Sequence, residues 1–402
     1  MGLGFLVKAD VPGRGLLRRR PSQNALFSEI CAAIRSLTSD PLMARMFITH
    51  TDEHTLSVTL HPCAEPVEFL WQPDQTIEVS AKTSTVGPGY HAHVVDLLNR
   101  VGSELSLRWD WAEEGADETG FANSDNFDAL QREMATFLKA LGDVPLEQSG
   151  KGHTNLMLNM ACGYPAPEMD SFVISPLGPL SEDWCRELTH AGGETLAQMC
   201  REYYPWWERA PDAVCWRSIG LYLMWCEVRW HVPTEERERA TCQLALDCME
   251  RAASQDAGIQ LPTSEIQELR RLLTWPKDAP PQLPEPQGIG YRRRNMIHAL
   301  TGGWTIRLPG YYYETWEDDG AMAVFWFGGR TVRFTSFTMT SKDGQPASPR
   351  SMLSEKTPEK LQGAEVVDLD NQHLQGWATI RPAEEDGQPL VPFRRWPAGT
   401  RT

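Results

Sequence analysis

The chain has no Cys-x-x-Cys pair, no Gly-x-Ser-x-Gly, no Gly-Lys-Ser/Thr phosphate loop and no apolar run long enough to cross a membrane. These absences argue in turn against a thioredoxin-like or zinc-ribbon motif, an α/β-hydrolase elbow, a P-loop and a transmembrane helix. Basic residues are scarce as well. Thirty-eight Lys and Arg face 54 Asp and Glu, a formal charge of −16, and such a surface repels nucleic-acid phosphates and anionic membranes. No partner of either kind is expected. The nine Cys are odd in number, and Cys200, Cys215, Cys226, Cys242 and Cys248 fall among apolar residues in helical patterns. They read as buried thiols of a cytoplasmic protein rather than a disulfide framework. The N-terminal segment lacks a secretory apolar core, and Leu6 stands where myristoylation needs Ser or Thr. No motif implies a cofactor.

Large apolar side chains are abundant instead. Fifteen Trp, 13 Phe and 9 Tyr in 402 residues bury more surface than one ordinary core holds, so several domains are expected. Residues 1–21 are basic and read as a flexible tail. Residues 22–178 read as an α+β domain, with a helical stripe in "NALFSEICAAIRSL" and alternation in "HTLSVTLHP", "VEFLW" and "TIEVSAKTS". The strands cluster with few crossover helices, which predicts a largely antiparallel sheet. Residues 179–275 read as all-helical, with Ser264 and Gln267 at capping-box spacing before the last helix. Residues 276–290 form a Pro-rich linker. Residues 291–402 are β-rich, with a hairpin expected at Gly328-Gly329.

In that last region "GWTIRLPG", "YYYETWEDDG" and "RTVRFTSFTM" follow one another as strand, Pro-Gly, aromatic loop and hairpin. This order resembles the PsbP-like α/β sandwich family over about a quarter of the chain. The resemblance implies a sandwich-like fold with binding or chaperone-like roles. It carries no catalytic residue onto this sequence.

Residues His50-Thr51-Asp52-Glu53-His54 match the inverted zinc-protease signature H-x-x-E-H, which works only when both His and the Glu share one helical face. The flanking β-branched residues alternate as in a strand, and Asp52-Glu53 sits where a hairpin turns, so the protease reading is rejected. A broader metal reading keeps His50, His54, His91 and His93 as runner-up ligands of a metal-dependent hydrolase. Its weakness is local: His91 and His93 fall in a helical segment, where that spacing separates them by about 200°.

Three further stretches suggest binding. Gly87, Gly89 and Tyr90 open a helix after "STVGPG", and free amides at a helix start suit an anion. "WDWAEEGADETGFANSDNFD" carries seven carboxylates and no basic residue; Asp117, Glu118 and Asp125 are its candidate contacts for a basic protein. Tyr312, Tyr313 and Trp316 lie in an aromatic loop beside acids, the composition of an interface hot spot. The reading that joins these observations is a non-catalytic, cytoplasmic protein-binding protein of the bacterial immunity or defence kind. Its rivals are the metal hydrolase and a small anion-binding module.

Overall fold

Alternation of apolar and polar residues accounts for the central sheet. A computed structural model describes residues 2–13, 20–149, 156–161, 163–276, 283–317 and 320–336, together with strands within 365–390. The chain is α+β and divides into two compact units, Met1–Tyr164 with Met169–Arg292, and Pro165–Glu168 with Arg293–Thr402. The helical middle region therefore belongs to the same unit as the N-terminal sheet, and no unit boundary falls at the expected position near 178.

In the first unit, strand β1 (Gly4–Asp10) is followed by helices α1 (Gln23–Leu37) and α2 (Pro41–Met46). Strands β2 (Ile48–Thr51), β3 (Thr55–Thr59), β4 (Val67–Trp71) and β5 (Thr76–Lys82) then lead into helix α3 (Pro88–Leu105) and the short strand β6 (Arg108–Trp109). The six strands form one antiparallel sheet in the order β2-β3-β4-β5-β1-β6. Phe5, Val7, Ala9, Leu56, Val58, Val67, Phe69, Ile77, Val79 and Ala81 are buried, alternating with more exposed residues. Each Val, Leu, Ile or Phe among them contributes about 1.5–3 kcal/mol by leaving water. The expectation of a flexible basic tail over residues 1–21 is corrected for Gly4–Asp10, while residues 14–19 of that stretch lie outside the described residues. Gly4–Asp10 is an interior strand, paired Gly4↔Lys82 through Asp10↔Thr76, because its apolar alternation fills the gap between β5 and β6.

Helix α1 starts where the Ser22 hydroxyl accepts from the Ala25 amide, and α2 where Asp40 accepts from the Leu42 and Met43 amides with Pro41 at the first turn. Helices α4 (Phe121–Ser124) and α5 (Phe127–Ser149) follow β6. Strands β7 (Leu156–Met157), β9 (Val173–Ser175) and β10 (Gly178–Leu180) form a small sheet, and β8 (Ala166–Pro167) lies between them in sequence but belongs to the second unit. Helices α6 (Glu182–His190), α7 (Gly193–Tyr203), α8 (Ala213–Tyr222), α9 (Glu236–Gln255) and α10 (Thr263–Leu273) complete the first unit. Trp206, Trp216 and Trp230 are almost wholly buried among them, as expected for a helical core. Helix α8 runs into a π-turn over Leu223–Glu227. Helix α10 has no side-chain cap at its start, and Ser264 donates to Glu265 instead of forming a capping box. All eight described cysteines are free, and all but Cys31 are buried.

In the second unit, β11 (Asn295–Leu300) pairs with β8 and β12 (Trp304–Pro309). Strands β13 (Tyr313–Glu317), β14 (Met322–Phe327) and β15 (Arg330–Thr335) form an antiparallel sheet, with the hairpin turn at Gly328-Gly329 as expected. Leu300, Tyr312, Ala323 and Phe325 form its buried core. Two further hairpins pair Glu365–Asp370 with Gln375–Ile380 and Ala383–Glu385 with Gln388–Leu390.

Candidate functional site

The acidic stretch after β6 is where the structure departs most from a surface reading. Its backbone is stitched along β1. The Asp110 amide donates to the Lys8 carbonyl at 2.8 Å, the Leu6 amide to the Ala116 carbonyl at 2.8 Å and the Glu118 amide to the Gly4 carbonyl at 3.2 Å. Asp117, expected at a partner surface, is corrected: its side chain is 0% exposed. Oδ1 accepts from the Thr119 amide and hydroxyl at 2.9 and 2.8 Å, and Oδ2 accepts from the Ala122 amide at 2.8 Å. Oδ1 also lies 3.3 Å from His91 Nε2. The cause is local, since the turn at 117–122 leaves amides that a short carboxylate reaches. Burial pushes the Asp117 carboxyl up. The hydrogen bond and charge of His91 and the two amides outweigh this and bring it down to about 2.

His91 passes the chain onward. Its Nδ1 lies 2.8 Å from the Thr83 hydroxyl and its Nε2 3.2 Å from that of Thr119. With Asp117 ionised, the Nε2 side carries the proton and Nδ1 accepts from Thr83. Thr83 and His91 are both 0% exposed. Beyond Thr83 comes the other end of β1. The amides of Thr83 and Ser84 both donate to the Leu3 carbonyl, at 3.0 and 3.1 Å. Thr83 Oγ1 lies 3.4 Å from the same oxygen. The Leu3 amide donates to Ser84 Oγ at 2.9 Å, and the Gly4 amide to Glu118 Oε2 at 2.8 Å. Glu118, expected to meet a partner, thus spends one carboxylate oxygen on β1. Asp125 is exposed and pairs with Arg209 at 2.7 Å.

The runner-up metal ligands do not assemble. His50 lies on β2, and the β2–β3 hairpin closes with the Asp52 amide donating to the Thr55 carbonyl at 2.9 Å. His50 meets Asp52 at 2.9 Å and His54 meets Glu53 at 3.9 Å, all well exposed. His91 is committed to Asp117 and Thr83. The His93 ring lies 5.1 Å from that of Trp206. A hairpin and a helix hold the four imidazoles in separate settings, so these runner-up ligands do not form one site. Among the described residues no group of three or more His, Cys, Asp or Glu has metal-holding geometry.

The anion reading at Gly87, Gly89 and Tyr90 is likewise corrected. The segment Tyr204–Trp206 covers the start of α3. Gly89 donates its amide to the Trp206 carbonyl at 3.1 Å, Gly87 donates to Thr83 at 3.0 Å, and Tyr90 is 1% exposed. A Cβ on Gly89 would lie 2.1 Å from the Glu208 carbonyl oxygen, so glycine there serves close backbone approach. Beneath this cap His61 and His93 are held neutral. Burial, then the charge of His93, pushes His61 down to about 3. Burial, then Arg100, pushes His93 down to about 4.

In the second unit Tyr312 and Tyr313 are both 9% exposed, which corrects their place among surface aromatics. Tyr312 joins the sheet core, and Tyr313 stacks on Trp326 with ring centroids 5.5 Å apart. Their positions follow from β13, which begins at Tyr313 and lays the tyrosines across β14. Trp316, farther along the same strand, is 43% exposed.

No sequence motif marks Leu3, Gly4, Thr83, Ser84 or Thr119. Eighty positions separate Leu3 from Thr83, and no local pattern carries that pairing. Comparison of the chain with family models, curated proteins and solved structures gives no match. No helix among the described residues is long and apolar enough to cross a membrane.

Proposed function

We propose that the chain is a non-catalytic protein-binding protein, turning over no external substrate, whose contact surface for a basic protein is the acidic loop of residues 110–128. One observation carries this reading: the loop's backbone is hydrogen-bonded to β1 while six of its seven acids face water. Asp110, Glu113, Glu114, Glu118, Asp125 and Asp128 are exposed, and the backbone beneath them is tied to β1 and to Asp117. Acids fixed before binding lose little conformational freedom on contact, and their shared sign draws in a basic surface. A cytoplasmic role of the bacterial immunity or defence kind fits an acidic neutralising surface of this sort. For residues 291–402 we infer the binding role that the likeness to PsbP-like sandwiches implies, with exposed Trp316 as its contact.

The test is recovery of a partner from extract of the native host by wild type and by the triple variant Glu113→Lys, Glu114→Lys, Asp128→Lys. None of the three carboxylates holds the loop's backbone, so the variant keeps its fold by circular dichroism. A basic protein recovered by wild type and lost by the variant supports the reading. Equal recovery by both removes the loop from the interface.

A further inference from the structure

A hydroxyl, an imidazole, a carboxylate and two backbone amides gather about the Leu3–Gly4 peptide. The Thr83 hydroxyl lies 2.8 Å from a His91 ring nitrogen, and the other nitrogen lies 3.3 Å from Asp117. A hydroxyl, an imidazole base and an orienting carboxylate in that chain form the arrangement that activates an oxygen nucleophile. Two amides, of Thr83 and Ser84, donate to the Leu3 carbonyl oxygen at 3.0 and 3.1 Å, which is the donor pair an oxyanion requires. The amide on the far side of that carbonyl, Gly4, is held by Glu118 at 2.8 Å. An open groove of about 530 Å³, lined by Gly2, Leu3, Gly4, Lys82 and Glu118 among others, reaches the same peptide.

We propose that the chain cleaves its own Leu3–Gly4 bond, with Thr83 as nucleophile and His91 as base. The Thr83 proton passes to His91 Nδ1 as Oγ1 bonds to the Leu3 carbonyl carbon. The Thr83 and Ser84 amides hold the resulting oxyanion. When the C–N bond breaks, His91 gives its proton to the Gly4 nitrogen, leaving Leu3 as an ester on Thr83. The freed amine takes a second proton from solvent and stays paired with Glu118, away from the ester. Water entering by the groove then adds to the ester carbonyl, and Thr83 regains its proton. The net change is addition of one water across one peptide bond. Asp117 touches no reacting atom; it is a positioning residue that fixes the His91 tautomer. β1 stays in the sheet throughout, since Phe5, Val7 and Ala9 remain buried. The event is a single turnover on the chain itself and is independent of partner docking.

The experiment follows purified full-length chain by intact mass and N-terminal sequencing over time, with and without hydroxylamine. The expected result is loss of the segment ending at Leu3, a new N-terminus at Gly4, and acceleration by hydroxylamine with Leu3 hydroxamate released. Thr83→Val abolishes cleavage and Thr83→Ser restores it. His91→Gln slows it by about 10²–10⁴-fold, and Asp117→Asn slows it and moves its pH profile. Wild-type chain that keeps its Leu3–Gly4 bond with and without hydroxylamine overturns the proposal. Cleavage that persists in Thr83→Val and ignores hydroxylamine overturns it equally. Should Thr83→Val fail to fold, the hydroxylamine product from wild type and the activity of Thr83→Ser decide the matter.

Discussion

Asp117 and His91 face each other at 3.3 Å with both side chains wholly shielded from solvent. The pair joins an acidic surface loop to the helix beneath the sheet, so its removal is felt in stability before anything else. Asp117→Ala leaves buried donors on Thr119, Ala122 and His91 without their acceptor and is expected to cost about 3–5 kcal/mol. Exposed Glu113→Ala in the same loop stays within about 0.5 kcal/mol. Urea unfolding of the two variants separates a structural carboxylate from a solvated one.

Acid titration is expected to weaken the fold in two stages. His61 and His93 fall from the ordinary 6.5 to about 3 and about 4 in the folded chain. The unfolded chain therefore binds more protons below 6.5, and their stabilisation, full above that value, is lost as the pH drops toward 4 and then 3. The loss is about 1.4 kcal/mol for each pH unit and each histidine. Asp117, lowered from 3.8 to about 2, contributes stability that is present above 3.8 and disappears as the pH falls through about 2. Unfolding free energy measured against pH, with His61→Phe roughly halving the slope of the upper stage and leaving the lower one, checks the assignment.

Gly89→Ala brings a Cβ to 2.1 Å from both the Glu208 carbonyl oxygen and Trp206 Cδ1. Backbone must move, and the loss is expected to reach about 3 kcal/mol or more. Gly115→Ala, at a positive φ of 82° with nothing within 4 Å, pays only backbone strain of about 1 kcal/mol. Melting temperatures of the two variants distinguish crowding from strain.

Trp316→Ala and Tyr312→Ala remove aromatic rings four positions apart with opposite consequences. Trp316 is 43% exposed and Tyr312 is 9% exposed within the sheet core. The first is expected to leave stability within about 0.5 kcal/mol and to weaken partner recovery. The second costs about 3–5 kcal/mol. Calorimetry of both, beside the pull-down described above, measures each effect separately.

Period-two alternation made β3, β4, β5, β12 and the β14–β15 hairpin legible, and it also denied His50 and His54 a common helical face. The same alternation runs through Phe5, Val7 and Ala9, but the basic residues around it led to the reading of a flexible tail. What was not legible depends on pairings between distant positions. A carboxylate in an acidic run looks solvated, and only the fold reveals that Asp117 turns inward to His91. Gly87 and Gly89 look like an anion cradle until Trp206, more than a hundred residues later, closes it with its own carbonyl. Tyr312 and Tyr313 look like surface aromatics because no short-range signal announces that β14 lies under them.

The place of β1 between β5 and β6 has a kinetic consequence. Strands β2 to β5 meet their neighbours across short turns, whereas Gly4 finds its partner only at Lys82. Closing a loop of that length is slow compared with hairpin zippering. During synthesis β1 is thus made well before the edge it needs, and it waits until β5 presents that edge; β6 then closes over it.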